Sequence, residues 1–200
     1  IKHGDDYMLW NTGIADSLTG ESLTTHGITL SRAKSLAEEL EEVDVAPGQV
    51  DFVAFSHTHP DHTGNLGMFP DATLLIQQAE VDWSAEAGFF TLDPDRKAEM
   101  LTGDRDVFGD GSVTIISTPG HTPGHQSLLV NLPNTGFVIL GGDVAHFQSN
   151  YDNDVVPSLN IEPENTLASL ERVKALAAEK NATVLLNHDS EQSETAPRPP

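Results

Sequence analysis

Two hundred residues, 38% of them apolar, with Ile, Val, Leu and Phe in clusters, suffice for one core, and a single domain over 1–190 is expected. Ten basic side chains against 31 acidic ones leave a net charge of −21, which argues against nucleic acid and anionic membrane surfaces as partners. With no cysteine, disulfides, thiolate metal sites and cysteine nucleophiles are excluded, and no apolar run approaches the roughly 18 residues that a membrane span needs.

The chain opens at Ile1, without an initiator methionine, in what reads as a strand, so the compartment stays open between cytoplasm and export. Tyr7 to Trp10 is expected as a short strand ending at the Asn11-Thr12-Gly13 turn, with the polar stretch to Thr29 as a loop. A helix follows from an N-cap at Ser31, its Ala33, Leu36, Ala37, Leu40 and Val43 at helical spacing. Pro47-Gly48 breaks the chain before a buried-type strand from Val50 to Phe55. Ala72 to Ile76 reads as another strand, followed by a helix around 78–85 and an irregular acidic stretch over 86–110. Three strands then come in succession, at 113–117, 127–132 and 137–140. Pro163 starts a helix with Leu167, Leu170, Val173 and Ala177 on one face, and 182–186 is a last strand. The tail over 191–200 reads as disordered. Strands in runs, with helices between and after them, suggest a layered α/β sandwich.

The histidines sit where the strands end. His57, His59, His62, His121 and His188 each follow a predicted strand or turn, and the ends of strands in layered α/β proteins face ligand-collecting crevices. Residues two apart on extended backbone project to one side, so His57 and His59 can grip one ion, and the turn at Pro60 redirects Asp61 and His62 towards a second position. Imidazole and carboxylate are ligands that zinc accepts without any cysteine. A single such histidine would more simply be a loop residue, but four ligand-type side chains within six positions favour metal. Asp143, after Gly141-Gly142, adds a carboxylate able to bridge two ions.

His57-Thr-His59-Pro-Asp61-His62, the doubled Thr-Pro-Gly-His at 118–125, Gly-Gly-Asp143 and the late Asn-His188 together resemble the metallo-β-lactamase superfamily over most of the chain. That resemblance implies a four-layer αββα sandwich with a dinuclear metal site. It implies that His57, His59 and His121 hold one metal, that Asp61, His62 and His188 hold the other, and that Asp143 bridges them. Two divalent ions are implied, zinc first, with iron, cobalt or manganese as alternatives, and a bridging hydroxide as the nucleophile. Asp61 is then a candidate proton shuttle as well as a ligand. Many relatives carry Asp where Asn11 stands, which bears on an outer hydrogen bond, and His125 takes a supporting role outside the ligand set.

Fold does not decide the substrate. The acidic chain with little Lys or Arg fits neither a nuclease nor a glutathione site of the glyoxalase II kind. The order of elements and the 141–148 run are most similar to N-acyl-homoserine lactonases, which implies a quorum-quenching lactonase acting on a small ester or lactone. A phosphotriesterase or aryl esterase on the same metal core is the alternative, and an iron-dependent redox or sulfur-metabolising relative is a more distant one. Met68, Phe69, Trp83, Phe89, Phe90 and Phe147 are the candidates for gripping an acyl chain. Related lactonases place a tyrosine near the bridging Asp; here His146 stands three residues past Asp143 and Tyr151 lies further on, so His146 is a candidate catalytic donor. A homodimer is compatible with this reading.

Overall fold

The computed structural model describes residues 1–25 and 28–195, in two compact units: Ile1–Ile76 with Ser84–Met100, and Gln77–Trp83 with the chain from Leu101 on. The first unit opens with β1 (Lys2–His3) and β2 (Asp6–Trp10), continues through a two-stranded sheet of β3 (Ser22–Thr25) and β4 (Ile28–Ser31), and then forms α1 (Leu36–Glu41) and β5 (Phe52–Ala54). The short helix α2 (Pro60–Thr63), β6 (Thr73–Gln77), α3 (Gln78–Ala87) and β7 (Ala98–Leu101) follow. Its main sheet has the order β1-β2-β5-β6-β7, with β2, β5 and β6 parallel. An interior parallel strand lacks the apolar–polar alternation of a half-exposed one, and β6, Leu74-Leu75-Ile76 between Thr73 and Gln77, is buried at every residue. Met8, Val53, Phe55, Leu74 and Leu75 are at most 1% exposed in this core.

The polar stretch expected as a loop contains β3 and the start of β4, four-residue strands in which the alternation Ile28-Thr29-Leu30-Ser31 is too short to stand out. The helix expected from Ser31 is capped one turn later. Ser35 accepts from the Glu38 N–H while the Glu38 carboxylate accepts from the Ser35 N–H, a reciprocal capping box. Leu36 and Leu40 are its buried positions, and Val43 stays exposed beyond its end.

The second unit carries β8 (Arg105–Asp106), β9 (Val113–Ser117), β10 (Gln126–Leu132), β11 (Gly136–Leu140), α4 (Gln148–Asn153), α5 (Pro163–Lys180), β12 (Thr183–Leu185) and α6 (Ser190–Thr195). Its sheet has the order β12-β11-β10-β9-β8, antiparallel except for the parallel pair β11–β12. Proline at the first position of α5 and Asn181 in the left-handed region at its end frame that helix. Leu170 and Val173 pack on Ile116, Leu129 and Ile139 of the sheet. Leu167, expected on this face, is instead 38% exposed, and Thr166 and Ser169 take the buried turns, Thr166 Oγ1 accepting from Asn160 Nδ2 and Ser169 Oγ donating to the Pro119 carbonyl. The irregular stretch over 86–110 contains β7 and β8, and α4 follows Asp143 where no helix was expected. Of the tail read as disordered, 191–195 belongs to α6, and 196–200 lies outside the described residues. Among the described residues no helix is long and apolar enough to cross a membrane.

The Asn11-Thr12-Gly13 turn packs directly on α2. The Thr12 N–H donates to the His62 carbonyl and the Gly64 N–H to the Gly13 carbonyl. A Cβ on Gly64 would lie 2.3 Å from the Ala15 nitrogen and 2.7 Å from the Gly13 oxygen, backbone atoms that cannot step aside. Gly64→Ala should therefore cost about 1–3 kcal/mol, read as a lower urea midpoint at unchanged slope. Gly67→Ala, where nothing lies within 4 Å, should be close to neutral.

Candidate metal centre

In the first unit the chemistry begins where β5 ends. The residue before a proline is held extended, and His59 has φ −64° and ψ 152°, so 57–59 continue the strand direction and place two imidazoles on one side. His57 Nε2 lies 2.8 Å from His59 Nδ1. Pro60 then starts α2, and one helical turn brings His62 back, its ring centroid 4.1 Å from that of His57 and its Nε2 3.5 Å from Asp61 Oδ2. His57 and His62 are buried, and Asp61 is half-buried. Behind the rings, Ser56 Oγ is 3.1 Å from both His57 Nδ1 and His62 Nδ1, and Asn11 Oδ1 accepts from the Ser56 N–H at 2.8 Å. Asn11 has φ +58°, a left-handed conformation that asparagine tolerates better than most residues.

In the second unit strand register does the placing. Leu140 of β11 pairs in parallel with Leu185 of β12, and Asp143 and His188 each lie three residues past that pair, so both leave the sheet at one edge. The doubled Thr-Pro-Gly-His loop joins β9 to β10 at that edge, since Leu128 near the start of β10 pairs with Leu140. Asp143 Oδ2 lies 3.1 Å from His188 Nε2, 3.4 Å from His146 Nε2 and 3.6 Å from His121 Nε2. The ligand atoms of His121, Asp143 and His146 fall within 4.8 Å of one another.

Outer contacts fix the protons. Asn160 Nδ2 donates to Thr166 Oγ1, so Asn160 Oδ1 is the atom that accepts from His121 Nδ1 at 3.1 Å. The Nε2 of His121 therefore carries a lone pair, and it faces a carboxylate oxygen. Two electron-rich atoms so placed repel unless a cation or a proton lies between them, and nitrogen–oxygen ligand sets of this kind suit zinc and its neighbours. This donor set therefore fits a divalent metal. His146 Nε2 is buried and makes no hydrogen bond among the described residues, which adds it to the group that a cation would satisfy.

His125, fully buried, carries its proton on the same ring nitrogen, but its Nε2 meets a donor instead of a carboxylate. The Asp143 N–H donates to its Nε2 at 2.9 Å, so its Nδ1–H donates to the Thr118 carbonyl at 2.9 Å. It is a neutral ring that anchors the backbone of Asp143. Glu80 of α3, 1% exposed, accepts from Thr122 Oγ1 at 2.6 Å and from the Gly124 N–H at 3.1 Å, which pins the loop that carries His121. The N–H groups of Gln148 and Gln192 donate to Asp189 and hold its carboxyl below the usual carboxylate range, tying the turn after His188 to the start of α4.

Ser56, Glu80, Asn160 and Asp189 were not among the residues expected from sequence. A lone serine, glutamate or asparagine carries no spacing signal, and only its hydrogen-bond partners reveal it. Tyr151 packs against the core under α5, with Lys174 Nζ 5.2 Å from its ring centroid, and burial raises its phenol pKa. Among the aromatic candidates, Phe89 and Phe147 are each 49% exposed. Their rings lie 5.1 Å from His59 and 6.2 Å from His146 respectively. Met68, Trp83 and Phe90 are half-buried, and Phe69 is buried in the packing of the first unit.

The model of the metallo-β-lactamase superfamily matches residues 1–188, and the chain belongs to that superfamily and has its fold. Within it, the chain is 35% identical over 173 residues to an N-acyl homoserine lactonase AttM from Rhizobium radiobacter, covering 80% of this chain and 66% of that protein. It is 31% identical over 156 residues to an N-acyl homoserine lactonase from a Bacillus species, covering 76% and 61%. The chain thus spans just under two thirds of the length of these curated relatives. A solved N-acyl homoserine lactone hydrolase, with the product N-hexanoyl-L-homoserine at its catalytic metal centre, superposes with a TM-score of 0.85 at 25% identity, covering 98% of this chain and 82% of that one.

Bound metal favours the folded state by mass action. Treating the zinc-loaded chain with a chelator should lower its melting temperature, and Asp143→Ala should abolish most of that shift. A chelator-insensitive melting temperature in the wild-type chain would refute the metal assignment.

Proposed function

We propose that this chain carries a dinuclear-metal hydrolase site that opens the lactone ring of N-acyl-homoserine lactones. The likeness to N-acyl homoserine lactonases over 80% of the chain carries the substrate assignment. In this reading His57, His59 and His121 hold one ion, Asp61, His62 and His188 the other, and Asp143 bridges. The 2.8 Å approach of His57 Nε2 to His59 Nδ1 supports the first set. The place of Asp143 Oδ2 beside both His121 and His188 supports the bridge, because those two histidines fall in different sets. Zinc is the metal that the ligand chemistry favours, with iron, cobalt and manganese accepting the same donors. Two such ions, when bound, supply a water of lowered pKa and polarise the ester carbonyl.

Hydrolysis forms a bond from water oxygen to the carbonyl carbon and breaks the ring C–O bond, and the leaving alkoxide needs the proton that the water gives up. Asp61 is the side chain proposed to carry that proton, being a half-buried carboxylate among the ligands. His146, 3.4 Å from Asp143, is proposed as a donor at the substrate carbonyl, the place for which Tyr151 is less suited because its ring packs under α5. Phe89 and Phe147, exposed and each within ring-contact distance of a site histidine, are proposed to receive the acyl chain, and the half-buried Met68, Trp83 and Phe90 remain further candidates.

The test is a turnover panel on the zinc-loaded chain: short- and long-chain acyl-homoserine lactones, a thioester, a phosphotriester and a β-lactam. A clear preference for lactones is expected, and preference for the phosphotriester would replace this function with the alternative. Asp61→Asn should cut kcat by about 10²–10⁴-fold while metal content falls far less; equal losses would leave Asp61 a ligand only. His146→Ala with unchanged lactone kinetics would remove that residue from the reaction.

A further inference from the structure

One hydroxyl touches two of the proposed ligands at once. Ser56, fully buried, places Oγ 3.1 Å from His57 Nδ1, 3.1 Å from His62 Nδ1 and 3.3 Å from Asn11 Oδ1. We propose that Ser56 is a positioning residue whose hydroxyl locks His57 and His62 into the same tautomer and thereby ties the two metal positions together. This rests on the metal-site assignment above but not on the identity of the substrate.

The hydrogens can be counted. A serine hydroxyl has one proton to give and two lone pairs to accept with. Asn11 Oδ1 is identified as the oxygen of its amide because it accepts the Ser56 backbone N–H at 2.8 Å, so towards the hydroxyl it can only accept. The hydroxyl proton therefore goes to Asn11. The two lone pairs that remain face two imidazole nitrogens, and each contact becomes a hydrogen bond only if both rings carry their proton on Nδ1. In a neutral imidazole that choice puts the lone pair on Nε2. The other ends of the rings face further candidate ligands, His57 Nε2 towards His59 Nδ1 and His62 Nε2 towards the Asp61 carboxylate. A lone pair on His62 Nε2 is stable beside that carboxylate only with a cation between them. Were the hydroxyl proton given to a ring instead, that ring would carry its own proton on Nε2 and could not ligate there. Asn11 prevents this, and its left-handed backbone, with its N–H donating to the Ala54 carbonyl, holds the amide where the proton must go.

His57 belongs to one proposed ligand set and His62 to the other, so one side chain governs both. Loss of the groups that orient metal-bound histidines typically weakens metal binding about 10–100-fold. Chelator competition against the zinc-loaded chain should show both stepwise affinities falling by about that factor in Ser56→Ala, with Ser56→Thr restoring them. Asn11→Gly keeps the backbone conformation available and removes only the acceptor, so it should weaken at least one of the two steps. Two-bond proton–nitrogen correlation spectra of the zinc-loaded wild-type chain should place a proton on Nδ1 of both His57 and His62. Weaker retention of both ions in Ser56→Ala supports the tie whether or not any lactone is hydrolysed, which keeps it separable from the lactonase reading. The proposal is overturned by unchanged affinities in Ser56→Ala or Asn11→Gly, by loss confined to one step in Ser56→Ala, or by a proton on Nε2 of either ring.

Discussion

An anionic oxygen faced by three imidazole nitrogens, one of which presents a lone pair, calls for a cation or a proton between the electron-rich atoms. Asp143 Oδ2 is that oxygen, and the parallel register of β11 and β12 puts it there together with His188. The rest of the second unit is arranged around this demand. His125 holds the Asp143 backbone, Glu80 holds the loop that brings His121, and Asp189 holds the turn that carries His188. Each support is a buried or half-buried polar contact, where leaving a donor or acceptor unmade costs about 1–3 kcal/mol, so the set has little freedom to relax away from its ligand-ready form.

Both units solve the same problem in the same currency, the choice of tautomer. Asn160, its amide oriented by Thr166, takes the Nδ1 proton of His121, and the Asn11–Ser56 pair faces Nδ1 of His57 and of His62. A side-chain amide oriented by a neighbouring group serves as the fixed reference in each case.

The strands that lead into the candidate ligands were legible because buried strands leave apolar runs and their ends leave punctuation. β5, β6, β9, β10, β11 and β12 all fall within a residue or two of where hydrophobic patterning puts them. What the pattern missed is what it cannot encode. The β3–β4 hairpin is polar and largely exposed, α4 has no buried residue to impose a period, and β7 and β8 sit in an acidic stretch. The capping serine of α1 was displaced from Ser31 to Ser35 because the reciprocal Glu38 bond, not the first available hydroxyl, decides the start. For the candidate site, the clustered histidines and Asp143 stood out by spacing, whereas Glu80, Asn160 and Asp189 act through partners 39 or more residues away and Ser56 through two rings close by in sequence. Nothing in linear order marks them.

The tandem Thr-Pro-Gly-His reads like a duplication, yet its halves are not interchangeable. A Cβ on Gly120 would fall 2.3 Å from the Thr166 nitrogen, and one on Gly124 would fall 2.2 Å from the Glu80 nitrogen, so each glycine admits a different helix. His121 presents a ring nitrogen to a carboxylate, while His125 receives a backbone amide. Shifting the loop by one copy would preserve the local composition completely and misplace every one of these fits. The two helices that press against the glycines therefore act as an indexing device, selecting one frame out of two that the letters alone would leave degenerate.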